Sequence, residues 1–271
     1  MGISEEVLTH YDGGREEARL RRGGGLLELL RTQDVLRRFL PEPPAEVLDV
    51  GGGAGVHAEW LAADGYQVHL VDPVALHVRQ AGAIPGVHAT LGDARTLTAP
   101  DESYDAVLLC GPLYHLPDAG DRLLAWQEAA RVVRPGGLVA AATIGRYASL
   151  FDGLRKTLPL DPRFREMVAH ALETGEHRPP PNTPWFTTAY FHRPDEPAHE
   201  AREAGLDVLT TVTVEGTAWM LAEDDLDASL RDPVRREYLL WALRHVEADP
   251  AVLGAASHLL TLALKELPEE R

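Results

Sequence analysis

The stretch from Ala45 to Asp72, AEVLDVGGGAGVHAEWLAADGYQVHLVD, decides the fold. It reads as a strand, a glycine turn, a helix, a second strand and an acid, the opening of a parallel α/β sheet. Val47, Leu48 and Val50 form the short apolar run expected of a strand covered on both faces. Gly51, Gly52, Gly53 and Gly55 begin where that run ends, and their missing side chains permit both a sharp turn and the approach of a ligand to the main chain. His57 to Ala63 carry the helix, Trp60 and Leu61 are its packing residues, and Asp64-Gly65 end it. Tyr66 to Val71 form the second strand, with Asp72 at its carboxyl end. Ligands of parallel sheets bind at that edge, where an acid can accept hydrogen bonds from both hydroxyls of a ribose.

The turn alone leaves the ligand open. Read from Gly53, the run Gly53-Ala54-Gly55-Val56-His57-Ala58 satisfies the loose dinucleotide fingerprint with alanine in last place. Asp49, inside the strand before the glycines, leans the other way, because it repels a diphosphate and attracts the ammonium of an amino-acid moiety.

Further strands follow in order. Val87 to Ala89 form the third and lead into Leu91-Gly92-Asp93-Ala94-Arg95; Tyr104 to Cys110, YDAVLLC, form the fourth and lead into Gly111-Pro112-Leu113-Tyr114-His115-Leu116. Asp118 to Arg134 read as a helix capped by Asp118, with Leu123, Trp126, Ala130 and Val133 on one face. Arg134-Pro135-Gly136-Gly137 breaks it, and Leu138 to Ile144 form the fifth strand.

Through VLDVGGGAG, Asp72, LGDAR and RVVRPGGLVAAATI, residues 45 to 145 resemble the class I S-adenosylmethionine-dependent methyltransferases of small-molecule type. The resemblance implies a Rossmann-like α/β fold: seven strands, mostly parallel with an antiparallel last strand, helices on both faces and a helical lid insertion. It implies S-adenosylmethionine as cofactor and S-adenosylhomocysteine as product. By the same resemblance Asp72 holds the ribose, and Asp93 accepts from the adenine amino group while the Ala94 amide meets a ring nitrogen. Gly51, Gly53, Gly55, Pro73 and Cys110 belong to the cofactor wall, and Asp49 faces the amino-acid end. An amino-terminal segment folds over the cofactor, which carries Tyr11 and Arg19 to its methionine end. The loop after the fourth strand faces the sulfonium and the acceptor, so His115 is the candidate general base and Tyr114 its orienting partner. The expected reaction is methyl transfer to an oxygen or nitrogen of a small-molecule metabolite. An NAD(P)-dependent oxidoreductase is the alternative, but it leaves Asp93 and the RPGG turn without a purpose. A catalytically silent cofactor-binding protein would keep every feature.

Around this core, residues 1–44 read as a helical cap in two pieces, the second from Leu26 to Leu40, divided by Gly23-Gly24-Gly25 and stopped by Pro41-Glu42-Pro43-Pro44. Residues 146–190 read as an insertion of two helices, Tyr147 to Leu158 and Phe164 to Glu173, and a proline-rich crossing. Tyr147, Phe151, Phe164, Trp185, Phe186, Tyr190 and Phe191 make it a lid for the acceptor pocket. Residues 191–271 complete the core with a helix from Asp195 to Gly205, strand Leu206 to Val214, a helix capped by Asp232-Pro233, and strand Leu259 to Leu264.

Composition narrows the partners. A formal charge of -16 with no basic stripe argues against nucleic acid. No run is long enough to span a bilayer, and the start MGISEEVLTHYDGG has neither a basic region nor an apolar core, so a soluble cytoplasmic protein is expected with no membrane partner. The single cysteine, Cys110, rules out an internal disulfide and a zinc cluster. None of the 12 histidines pair at i, i+3 or i, i+4, so no metal centre is expected.

Overall fold

The computed structural model describes residue 20 and residues 23–267. Tyr11 and Arg19 lie outside the described residues. Helix α1 (Gly23–Phe39) runs through the three glycines expected to interrupt it. The Gly23 amide donates to Asp227 Oδ1 at 2.7 Å. A Cβ at Gly23 would meet the Glu223 side chain at 3.2 Å, so a bare first turn lets α1 lie close to the later helix that carries both acids.

Strands β1 (Glu46–Val50), β2 (Gln67–Asp72), β3 (Val87–Leu91), β4 (Tyr104–Leu109) and β5 (Val133–Gly145) pair in parallel in the order β3-β2-β1-β4-β5. Helices α2 (Val56–Ala63), α3 (Ala75–Ala81) and α4 (Ala119–Val132) make the crossovers. Asp118 caps α4 as expected, its side chain accepting from the Asp121 amide at 3.1 Å.

Strand β5 starts earlier than its apolar run. It begins at Val133, and the Arg134-Pro135-Gly136-Gly137 turn lies inside it as an irregularity opposite Tyr104 and Ala106. A Cβ on Gly137 would meet Asp105 O at 2.8 Å, so glycine lets β5 close onto β4 there, and Arg134 pairs with Asp105 across the irregularity.

The far side of the sheet is built from the last part of the chain. Strand β9 (His258–Lys265) runs antiparallel to β5, and β8 (Leu206–Thr213) runs antiparallel to β9. Three helices lie between β8 and β9 where one was expected: Glu223–Arg231, Pro233–Val246 and Pro250–Leu253. The middle one starts as Asp232-Pro233 predicts, with the Asp232 carboxylate accepting from the Val234 and Arg235 amides at 2.9 and 3.0 Å. Apolar side chains fill both faces of the sheet. Val35, Leu36, Ala58 and Leu61 of α1 and α2 cover one, while Ala125, Trp126, Ala129 and Ala201 cover the other.

The insertion adds helices α5 (Ala148–Arg155) and α6 (Pro162–Thr174) and two short strands, β6 (Glu176–His177) and β7 (Ala189–His192). These two raise the sheet from the seven expected strands to nine. Strand β7 pairs in parallel with the last residues of β5, Ile144 with Phe191 and Gly145 with His192. Since β9 occupies the other edge of β5 at Ile144, β7 takes the edge that β4 vacates after Leu109. The insertion therefore sits over the carboxyl end of β4.

Candidate functional site

Two carboxylates lie under the glycine turn, and one of them, Asp72, holds it. Asp72, at the end of β2, accepts from the Gly53 amide at 2.9 Å, from the Val74 amide at 2.9 Å and from His77 Nδ1 at 3.0 Å. These bonds fix the left-handed turn, in which Gly51 and Gly53 have φ of 70° and 60°. A Cβ on Gly53 would meet nothing within 4 Å, so the Cα side of this residue faces open space while its amide is turned to Asp72.

Asp49 lies beneath the turn, fully buried, and neither of its oxygens has a hydrogen-bond partner among the described residues. Burial, reinforced by the nearby charge of Asp72, pushes its carboxyl up to about 7. A Cβ on Gly52 would meet Asp49 Oδ2 at 2.4 Å, so the glycine backbone lies directly against the acid.

One cleft brings most of the predicted residues together. Gly51, Gly53, Asp72, Pro73, Asp93, Ala94, Cys110, Tyr114 and His115 all line it. The cleft is partly open to solvent. Asp49 and Gly55 stand off its wall. Gly55, with φ 94°, precedes α2, and a Cβ there would meet Ile84 at 2.6 Å; its glycine is required by packing.

Asp93 follows β3 in a tight turn. Arg95 grips it, with Nη2 donating to Oδ2 at 2.6 Å and Nε to Oδ1 at 2.9 Å, while its Nη1 reaches Asp121 at 2.7 Å. The bonds from the Arg95 side chain hold the Asp93 carboxyl below the usual carboxylate range. Cys110 directly follows β4, and burial pushes its thiol up.

Tyr114 and His115 occupy a single 3₁₀ turn, Leu113–His115, directly after β4. Their rings meet edge-on at 4.6 Å, and Phe186 of the insertion lies 5.8 Å from His115. Tyr114 packs with Ile144, Ala148, Ala189 and Phe191. The other insertion aromatics divide among separate tasks. Phe164 and Trp185 pack together at 5.1 Å in a small core with Met167 and Val168. Phe191 stacks on His177 at 4.7 Å, and Tyr190 lies 3.7 Å beneath the Arg122 guanidinium. Against the expectation that all seven line the pocket, none is among the cleft's lining residues; Phe186 meets it only through the ring of His115.

Pro112 and Leu116 of the loop after β4 line the cleft too, and it also contains residues that the sequence did not assign to the site: Glu28 of α1, His57 and His77. His57 accepts from Trp60 Nε1 at 3.2 Å, and burial lowers its imidazole to about 4. Its place directly after the glycines was a usable signal. Glu28, far from every motif, offered none.

A glycine turn, an acid after β2, a second acid after β3 and a histidine loop after β4, all at the carboxyl edge of one sheet, define an α/β enzyme that binds a nucleoside. Comparison with known proteins names the kind. A methyltransferase domain model matches residues 48–141. The ubiquinone biosynthesis O-methyltransferase of Thiobacillus denitrificans is 31% identical over 202 residues, spanning 71% of this chain and 78% of that protein. Methyltransferase GfsG of Streptomyces halstedii is 34% identical over 183 residues, 55% of this chain and 62% of its own. The fold matches a SAM-dependent methyltransferase from Methanosarcina mazei with a TM-score of 0.58 at 19% identity, covering 86% of this chain and 98% of that one. The chain belongs to the class I S-adenosylmethionine-dependent methyltransferases, and S-adenosylmethionine is its cofactor. Among the described residues no helix is long and apolar enough to cross a membrane.

Proposed function

We propose that this enzyme transfers the methyl group to an oxygen of a small, partly apolar molecule, with His115 as general base. The observation that carries the reading is the single cleft that joins the glycine turn and Asp72 to the Tyr114-His115 turn and its neighbour Phe186. Oxygen is favoured over nitrogen because relatives at about this similarity are named O-methyltransferases.

The residues fit the cofactor. The open space beside the bare Gly53 Cα accommodates close approach, the buried and unpartnered Asp49 suits a ligand ammonium, and Asp72 and Asp93 stand at the ends of adjacent strands, as a ribose and an adenine require. Gly51, Gly53, Pro73, Ala94 and Cys110 complete that wall. When bound, the cofactor supplies a methyl group on a positively charged sulfur, so the donor arrives activated. The chain's own residues have two tasks, to align the acceptor oxygen with that methyl and to remove its proton. Phe186 and Tyr114 shield the acceptor from water. His115 would take the hydroxyl proton of the acceptor as its oxygen receives the methyl group that the bound cofactor would supply.

His115→Ala tests this. Turnover of a phenolic acceptor should fall by about 10² to 10⁴, while calorimetric affinity for S-adenosylhomocysteine stays within about twofold. Equal loss of cofactor affinity and turnover would remove His115 from the chemistry.

A further inference from the structure

Glu28 of α1, Glu215 just after β8 and His258 at the start of β9 converge at the carboxyl edge of the sheet. Glu215 is buried; its Oε1 lies 2.5 Å from His258 Nδ1, and its Oε2 accepts from the His258 amide at 3.1 Å. Glu28 Oε2 lies 3.8 Å from the same imidazole nitrogen. One ligand atom from each of the three lies within 4.8 Å of the other two. We propose that these three side chains form a binding site for a divalent transition-metal cation, of the Mn²⁺, Fe²⁺ or Zn²⁺ class, that ties α1 to the edge of the sheet.

Donor chemistry selects the class. Two carboxylates with one imidazole suit first-row divalent ions better than calcium or magnesium, which prefer oxygen alone. Metal–ligand bonds of about 2.0 to 2.2 Å set donor atoms about 3 Å apart on adjacent positions and about 4 Å on opposite ones. The observed 3.8 Å falls within that range, and the 2.5 Å pair needs to open by only about half an ångström.

Charge points the same way. The Glu200, Glu196 and Glu247 carboxylates each sit on arginine: Arg122, Arg146, and the pair Arg31 and Arg38. Glu215 is more buried than any of them, yet among the described residues its ionic partner is the His258 imidazole alone. A buried carboxylate needs a compensating charge, and a cation shared with Glu28 would supply it more completely than one imidazole proton.

The cradle is also held in place. Gly216, at φ 57°, turns the chain directly after Glu215, its amide donates to Thr213 Oγ1 at 2.8 Å, and the His258 amide fixes the second Glu215 oxygen. Positions 28, 215 and 258 have no common spacing, so no motif search could join them. Because Glu28 also lines the cofactor cleft, the cation would stand at the cleft wall.

The test is a Mn²⁺ titration of the full chain, with free Mn²⁺ counted by its paramagnetic resonance signal and thermal unfolding followed in parallel. Wild type should take up one Mn²⁺ per chain with a rise in Tm. Glu28→Gln and His258→Gln should each weaken uptake by at least about tenfold, since even an outer-sphere partner costs that much. No uptake by wild type overturns the site. Equal uptake by folded variants also overturns it, since the ion then sits on other surface acids. Should His258→Gln fail to fold, Glu28→Gln, altered at a partly exposed side chain, decides the comparison alone.

Discussion

Asp49 is about half protonated at neutral pH, where an ordinary aspartate has lost its proton, because no partner among the described residues offsets its removal from water. With its carboxyl at about 7, the folded chain carries a proton between about pH 4 and 7 that the unfolded chain, at the ordinary 3.8, does not, so stability falls as pH rises through that window. His57 acts oppositely. Its imidazole, lowered to about 4 from 6.5, is neutral in the folded chain while the unfolded one is protonated, so its contribution rises with pH between those values. The two nearly cancel. In Asp49→Asn the histidine's slope is uncovered, and urea-derived stability should climb relative to wild type by about 1.4 kcal/mol per pH unit from about pH 4.5 to 6. Parallel curves for the two proteins would show that Asp49 titrates as an ordinary carboxylate. Binding should report the same proton: if the ligand ammonium faces Asp49, S-adenosylhomocysteine affinity is about tenfold weaker at about pH 6 than at about pH 8, and the variant flattens that dependence. The motif announced that an acid stood beneath the glycines. Its isolation was not legible, since that depends on what Leu70 and Leu108 of the neighbouring strands leave out.

Arg122 is where separate elements are joined. From α4 it donates to the Leu116 and Pro117 carbonyls at 3.0 and 2.8 Å, which fixes the end of the His115 loop. It also pairs with Glu200 at 2.6 Å in the helix Glu196–Glu203 and lies over Tyr190 of β7. Removing it strands a mostly buried carboxylate, so Arg122→Met should lower unfolding free energy by about 3 to 5 kcal/mol. Arg122→Lys should recover little of that, because an ammonium cannot serve the fork, the carbonyls and the ring together. Denaturant titration of the three proteins checks both statements; a lysine variant as stable as wild type would reduce the contact to a point charge. At this scale the sequence was readable wherever a periodic apolar run met a recognisable stop, as in β1, β2, β4 and α4. It was opaque where pairing is distant and short. Strand β6 is two residues long and exists only through Tyr190 and Ala189. The bare glycines of α1 look like a break until Asp227 supplies the Gly23 amide with a partner 204 positions away.

Across the whole molecule, the carboxyl edge divides into two zones with different supports. The cofactor zone stands on β1, β2 and β3, whose ladder is continuous from Glu46 to Leu91. The zone proposed for the acceptor adjoins the insertion, with Phe186 against the His115 ring. Phe186→Ala should therefore raise the KM for the acceptor about tenfold, the equivalent of roughly 1.4 kcal/mol of lost apolar contact, while S-adenosylhomocysteine affinity is unchanged. A drop in cofactor affinity instead would show that the two zones are one. The succession of strands through β5 was legible from local patterning, while the Rossmann-like class and the antiparallel last strand were legible through the resemblance to the methyltransferases. The position of the insertion was legible only as an order along the chain; its contact with His115 depends on β7 reaching the far end of β5.

That attachment is narrow. Two residue pairs, Ile144 with Phe191 and Gly145 with His192, dock β7 onto the sheet, past the last residue that β4 shares with β5. If acceptor choice resides in this insertion, exchanging residues 146–192 between relatives should give chimaeras with a new acceptor preference and unchanged affinity for S-adenosylhomocysteine.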